Sequence, residues 1–310
     1  MNIAITGGLG FIGRELTRFL CQATNHTVII NDLQLPEESG RTEYGHSYIR
    51  GDLRVADVAK RIVDSADVIV HLAQSNSPID ATQDWVGDLE QNFTPAVSLI
   101  NAVRDASNQV KVVFPSSGGS VYAENGETPC RECDTCFAGS PYGVQKIALE
   151  NYIAIATQQN PKVSACVLRI ANPYGVLLPI ERKQGFIGVA LNRIRHGLPV
   201  EIWGDPRNVR DYLHIEDLCA AFRKVIERDC SFDVLNIGSG VGHSVSDIIQ
   251  LIEVALGRRI RIEEMYQPGA NSLVSWNVLD IRRARDLLGW SPKIGLGTGL
   301  EKMVRENGIQ

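Results

Sequence analysis

The sequence predicts an α/β fold: a doubly wound parallel sheet with helices on both faces, joined to a smaller α/β domain. Short apolar runs alternate with helical patterns through residues 1–170, as expected of repeated β-α units. Several of these runs, DVIVHL and KVVFPS among them, are near-continuously apolar. Strands of a parallel sheet covered on both faces read this way, whereas half-exposed strands alternate. After Ile170 the pattern changes, and Pro173, Gly175, Pro179 and Gly185 punctuate an irregular stretch.

In chain order, strands are predicted over residues 2–6, 27–31, 67–72, 111–116 and 163–170. Helical patterns cover 13–21, 92–105 and 142–158. Beyond the irregular stretch a helix is expected over 186–196, a strand over 234–237 and a helix over 246–256 capped by Ser244 or Ser246. Residues 1–170 are therefore expected to form one domain and 171–310 a smaller one, with some later segments returning to the first. No internal repeat or low-complexity tract is visible.

A chain of 310 residues with 44% apolar content can bury a large core. A net charge of −5 argues against a general nucleic-acid or anionic-membrane surface. No apolar run approaches the ~20 residues of a membrane helix, and MNIAITGG runs directly into a strand pattern, so a soluble cytoplasmic protein is expected. Of seven cysteines, Cys166 and Cys219 sit among apolar residues and read as small buried hydrophobes. Cys130, Cys133 and Cys136 are regularly spaced, but no fourth ligand lies nearby in sequence, so they read as reduced thiols in a surface loop and no metal is expected.

The segment ITGGLGFIG follows the first strand and opens the first helix. Gly7, Gly10 and Gly13, with Phe11 and Ile12 between them, form a GxxGxxG turn. Such a turn brings backbone N–H groups and a helix N-terminus against a pyrophosphate. Asp32 ends the second strand, where a carboxylate accepts from adenosine ribose hydroxyls and repels a 2′-phosphate. No Arg lies between Leu33 and Gly40, so NAD is favoured over NADP. Asp52 and Leu53 are candidates to flank the adenine. Leu72, Ala73 and Gln74, together with Asn92 and Ser116, are candidates to line the rest of the cofactor.

The run SPYGVQK places Tyr142 and Lys146 four residues apart at the start of a helix, hence on one face. A phenol titrates near ~10, too high for a base at neutral pH. An ammonium one turn away and an oxidised nicotinamide nearby both favour phenolate. With TGGLGFIG, Asp32, GDLR, HLAQ, SSGGSVY, NPYG, WGDPRNVRDYLH and LGWSP, the chain resembles the extended short-chain dehydrogenase/reductase superfamily. Within it, the closest resemblance is to the NAD-dependent sugar-nucleotide epimerase/dehydratase family, and the RDYLH and SPYGVQK pieces look most like UDP-glucose 4-epimerase and its relatives.

The resemblance implies a Rossmann-type cofactor domain, a substrate-binding domain and tightly held NAD. It makes Tyr142 the base at a sugar hydroxyl and Lys146 the holder of the nicotinamide ribose. A serine or threonine normally assists the tyrosine. Aligned on Val121-Tyr122, that position is Gly118, with Ser117 and Ser120 as the neighbours able to serve; the sequence does not decide between them. Sugar dehydratases carry an Asp-Glu pair where this chain has Gly119 and Ser120, so dehydration is disfavoured and 4-epimerisation through a 4-keto sugar is expected. A reductase or dehydrogenase of the same family is the alternative, and a non-catalytic dinucleotide sensor would not need Tyr142 and Lys146.

On the substrate side the resemblance assigns Asn172 and Arg210 to the nucleotide diphosphate. Gln184–Ile187 and Glu201–Trp203, including Gln184 and Trp203, are expected around the nucleobase. Relatives carry an Arg-x-x-Asp clamp on the nucleotide ribose where this chain has Ala270, Asn271, Ser272 and Leu273. A homodimer through the helices containing Tyr142 and Asn92 is also implied.

Overall fold

A computed structural model describes residues 1–34, 47–75, 84–265 and 274–310. Seven strands form the main sheet: β1 (Asn2–Thr6), β2 (Thr27–Asp32), β3 (Ser47–Arg50), β4 (Val68–His71), β5 (Val110–Ser117), β6 (Val163–Ile170) and, from the second half of the chain, β10 (Phe232–Ile237). Their order is β10-β6-β5-β4-β1-β2-β3, and every pairing is parallel. Chain order reverses between β1 and β4, so a crevice opens beyond their carboxyl ends. Open α/β sheets bind ligands at such a switch point.

The uninterrupted apolar character of these strands has its cause in two cores. On one face Ile3 and Ile5 of β1 join Leu16 and Leu20 of α1 (Phe11–Ala23). On the other, Ala4 joins Ile62 of α2 (Ala56–Ser65), and Trp85–Asp88 forms a short α3. Leu99 of α4 (Thr94–Arg104) and Ile153 of α5 (Pro141–Gln159) complete that second core. Because neighbouring β1 residues enter opposite cores, a period-two pattern has no face to spare for polar residues.

The smaller lobe begins with β7 (Asn172–Tyr174), α6 (Phe186–Arg195), β8 (Val200–Trp203), β9 (Val209–His214) and α7 (Ile215–Glu227). After β10 come β11 (Gly242–Ser244), α8 (Val245–Leu256), β12 (Ile262–Met265), β13 (Trp276–Asn277), α9 (Arg282–Leu288) and α10 (Leu296–Glu306). Strand β9 is central, pairing with β7 and β13 in parallel and with β11 antiparallel; β8 and β12 form a separate parallel pair. Tyr174, Leu191, Ile252 and Leu300 are among the residues of the lobe's own core. Helix α7 instead packs on α1, with Leu218 and Phe222 inside the first core of the main sheet. Ser244 caps α8 in a reciprocal capping box with Asp247.

Two sequence expectations need correction, and one strand carried no expectation. The helix expected from residue 92 begins as an α-helix only at Thr94. Asn92 lies in a π-turn, Leu89–Phe93, which inserts an extra residue per turn and carries an Asn92–Asp88 hydrogen bond of 2.7 Å. Strand β3 has one buried residue, Ile49, so it gave no periodic signal. Cys130 is not in a surface loop: it is 3% exposed, and its backbone bonds to Val278 and Asp280, while Cys133 is exposed and Cys136 intermediate. Cys166 and Cys219 are buried as expected. No helix among the described residues is long and apolar enough to cross a membrane.

Candidate active site

The glycine turn joins β1 to α1 directly over the end of β4. Gly7 adopts φ +66°, and a Cβ there would stand 2.6 Å from the Ala73 backbone. A Cβ on Gly13 would stand 2.6 Å from the Gly7 carbonyl oxygen, so helix and turn meet with no room for a side chain. Gly10 is the N-cap of α1, with no side-chain cap and no acidic residue in the first turn. The N-terminal N–H groups of α1 therefore lie uncapped beside a crevice with a positive partial charge, a cradle that fits a pyrophosphate. Phe11 and Ile12 pack against the first core and seat that turn.

Around this cradle stand the other cofactor candidates. The Asp32 carboxylate accepts from the backbone N–H of Leu9 at 3.1 Å and of Leu33 at 2.8 Å, which orients it at the end of β2. Asp52 is bound to Arg54, whose guanidinium at 2.9 Å holds the carboxyl below its ordinary range. Leu53 is buried in the second core, whereas Leu72 and Ala73 are half-buried and Gln74 exposed. Asn92 uses its side chain inside the protein: Oδ1 accepts from Ser75 N–H at 2.7 Å and Nδ2 donates to Asp88. Ser116 points away from this region and donates to the buried Glu150.

At the carboxyl end of β5 the chemistry-bearing groups converge. Burial pushes the Tyr142 phenol up to about 12, opposed by the neighbouring Ser117 side chain, which favours phenolate. Lys146 Nζ sits 5.5 Å from the centroid of the Tyr142 ring, 4.9 Å from that of Phe114, and donates to the Pro115 carbonyl at 3.1 Å. Burial lowers this ammonium to about 8, opposed by the Glu150 and Asp88 carboxylates. His71, buried behind it and bonded to Thr6 at 2.8 Å, is lowered to about 3 by burial and by Lys146, and is neutral. Ser120 places its backbone carbonyl against Gly143 in the first turn of α5.

A cavity of about 820 Å³ opens in the smaller lobe. Asn172, Gln184, Phe186, Glu201 and Trp203 are among its walls, so segments far apart in sequence share one enclosure. Asn172 is oriented by donating to the Asp211 carbonyl at 2.9 Å, and Trp203 by donating to Glu201 at 3.3 Å. Arg210 does not line this cavity; its guanidinium donates to the carbonyls of Val209 at 2.7 Å and Val274 at 2.8 Å. Ala270, Asn271, Ser272 and Leu273 lie outside the described residues.

Sequence reading missed three parts of this site. Leu279 fills the space beside Gly118, where a Cβ would come within 2.5 Å of it. Asp211, fully buried, accepts from Ser239, Gly240 and Leu279 and so fixes the segment that carries Leu279. Asp88, also buried, accepts from Gln145 of α5 and Asn92 of the π-turn. The four-residue spacing of Asp88 and Asn92 was a legible helical signal; the approach of Leu279 to Gly118 had none.

Fold and site together define a dinucleotide-dependent enzyme class with a tyrosine-lysine centre at the end of a parallel sheet. The chain belongs to the NAD dependent epimerase/dehydratase family, whose model matches residues 3–238, and NAD is its cofactor. It is 33% identical to dTDP-4-dehydro-6-deoxyglucose reductase of Escherichia coli, across 98% of this chain and 96% of that protein. It is 29% identical to UDP-glucose 4-epimerase of Mycolicibacterium smegmatis, across 98% and 97%. The crystal structure of UDP-glucose 4-epimerase with UDP-glucose from Thermotoga maritima matches with a TM-score of 0.89 at 26% identity, covering all of both chains.

Proposed function

We propose that the protein is a nucleotide-sugar 4-epimerase that works through a 4-keto intermediate. The observation that carries this reading is the Ser117–Tyr142 pair beside Lys146, with glycine and serine, not a carboxylic acid, at positions 119 and 120. Tyr142 takes the proton of the sugar hydroxyl. Ser117 holds the reacting oxygen and the phenol in line, and the Lys146 ammonium one helical turn away favours phenolate against the burial that raises it. When bound, NAD supplies the hydride acceptor at that carbon and returns the hydride. Without an acid at 119 or 120 to protonate a leaving hydroxyl, the keto sugar is retained. Rotated in the pocket, it presents the opposite face of its carbonyl carbon for reduction, and its oxygen regains the proton from Tyr142.

The uncapped first turn of α1 and Asp32 would hold the pyrophosphate and adenosine ribose of NAD. Asn172, Gln184 and Trp203 would take the nucleotide of the substrate, with Arg210 as its phosphate partner. Relatives that are UDP-glucose 4-epimerases support the epimerase reading. The 33% identity to a dTDP-4-dehydro-6-deoxyglucose reductase favours a second one, reduction of a 4-keto sugar with release of spent cofactor. A panel of UDP- and dTDP-sugars with product analysis separates the two. Interconversion of 4-epimers at catalytic NAD supports the first; stoichiometric oxidation of NADH with a 4-keto sugar, and no epimer formation, overturns it.

The chain is further read as a cytoplasmic homodimer. Seven free thiols suit a reducing compartment. Val144, Tyr152 and Ile155 of α5 are each about half exposed beside the apolar α3, a face suited to a second copy. Sedimentation of wild type and Ile155→Asp checks this: the dimer should dissociate in the variant.

A further inference from the structure

Resting on Tyr142 and Lys146 as the reactive pair, we infer that Asp88 is a positioning residue that ties the π-turn to the catalytic helix and sets its charge. Asp88 is 1% exposed. One carboxylate oxygen accepts from Asn92 Nδ2 at 2.7 Å, and the other accepts from Gln145 Nε2. Gln145 immediately precedes Lys146 on α5, so the second bond holds the turn of helix that carries the ammonium. Asn92 passes the constraint on: its Oδ1 accepts from both the backbone and the hydroxyl of Ser75, two residues beyond Ala73, against which the glycine turn is packed. A single carboxylate thus connects the catalytic helix to the wall of the cofactor cradle.

The charge acts alongside the tether. Facing Lys146 are Asp88 from α3, Glu150 from its own helix, Tyr142 one turn back and neutral His71 from β4. Glu150 is already engaged with Arg169 at 2.7 Å. Asp88 raises both the ammonium of Lys146 and the phenol of Tyr142 above where burial and Ser117 alone would leave them. Removing its charge therefore moves both titrations toward lower pH.

The decisive variant is Asp88→Asn, which keeps the shape, loses the charge and turns an amide NH2 toward one of two donors. Lys146 titration, followed by pH-dependent acylation with mass spectrometry and without turnover, is expected to fall by about half a unit or more. In turnover, kcat is expected to fall about tenfold with KM nearly unchanged, and the acid limb of kcat to move to lower pH. The double variant Asp88→Asn/Gln145→Glu, which returns a carboxylate to the pair with the bond reversed, should restore most of kcat. Should Asp88→Asn not fold, Gln145→Leu tests the tether alone: kcat falls while the limb stays put. An unmoved Lys146 titration in Asp88→Asn, or wild-type kcat in Gln145→Leu, overturns the proposal. The acylation readout needs no substrate, so a wrong substrate assignment leaves it intact.

Discussion

Leu279 stands where a side chain on Gly118 would have to go: a Cβ built on Gly118 comes within 2.5 Å of Leu279 Cδ1. The leucine cannot retreat freely, since its N–H donates to buried Asp211 at 3.3 Å. A side chain at 118 would have to displace Leu279, and in the proposed mechanism Ser117, beside Tyr142, supplies the assisting hydroxyl instead. Ser117→Ala is expected to lower kcat by about 100- to 1,000-fold, the range of one lost transition-state hydrogen bond. Ser120→Ala should stay within about threefold. Gly118→Ser should not improve turnover, and should lower the melting temperature through overpacking of about 1–3 kcal/mol. Steady-state kinetics and thermal melts of the three variants check each part.

Lys146 makes the stability of the protein depend on pH in a defined direction. Burial lowers it from its ordinary 10.5 to about 8, so between those values the unfolded chain binds more protons than the native one. Stability contributed by this site accordingly rises as pH climbs from about 8 to 10.5. Below pH 8 the full penalty of a buried ammonium is present, at most about 3 kcal/mol from the size of the shift. Lys146→Met should be more stable than wild type at pH 7 by up to about that amount, and the difference should shrink toward pH 10. Turnover should be lost at every pH. Denaturant unfolding at pH 7 and pH 10 measures the change.

Much of this site was legible in the sequence because its parts are local. The glycine turn lies between one strand and one helix, and Tyr142 and Lys146 are one helical turn apart, so spacing alone placed them. Asp32 was placed by the strand it ends. What escaped depends on contacts across the chain. Leu279 reaches Gly118, and Asp211 reaches Ser239 and Leu279, through the pairing of β9 with β11 and β13, which no short-range pattern encodes. Ser116 illustrates a third case: adjacent to Ser117, it points to the other face of β5 because side chains alternate along a strand. The sequence put both serines in one site, Ser116 at the cofactor and Ser117 at the reacting oxygen; the pleat takes Ser116 out of it.

Asp211 tests how far that cross-chain support reaches. Its carboxylate accepts from Ser239 N–H at 2.8 Å, Ser239 Oγ at 2.6 Å, Gly240 N–H at 3.0 Å and Leu279 N–H at 3.3 Å. Burial raises its pKa, and these donors oppose that. Asp211→Ala removes the acceptor of four donors at once, one of them the buried Leu279 N–H, and should cost about 1–3 kcal/mol. Asn172 donates to the Asp211 backbone carbonyl, which alanine keeps, so KM should stay near the wild-type value under conditions where the variant remains folded.

Glu150 and Arg169 give a sharper test, since the two partners of a buried pair can be removed separately. Each side chain is 8% exposed, their closest atoms are 2.7 Å apart, and Ser116 and Tyr122 complete the shell. Taking two charges out of water is costly, and their mutual attraction offsets that cost only while both are present. Glu150→Gln leaves the Arg169 guanidinium buried without its counter-charge and should destabilise by about 3–5 kcal/mol. Glu150→Leu/Arg169→Met, which removes both charges and keeps apolar volume, should cost distinctly less than either single change. The same comparison separates stability from chemistry. Glu150 raises the Lys146 ammonium from one turn away, so losing it should move the Lys146 titration below about 8 in Glu150→Gln and in the double variant alike, whatever their relative stabilities. Equal melting temperatures for single and double variants would show that the pair stabilises the fold by shape and not by charge.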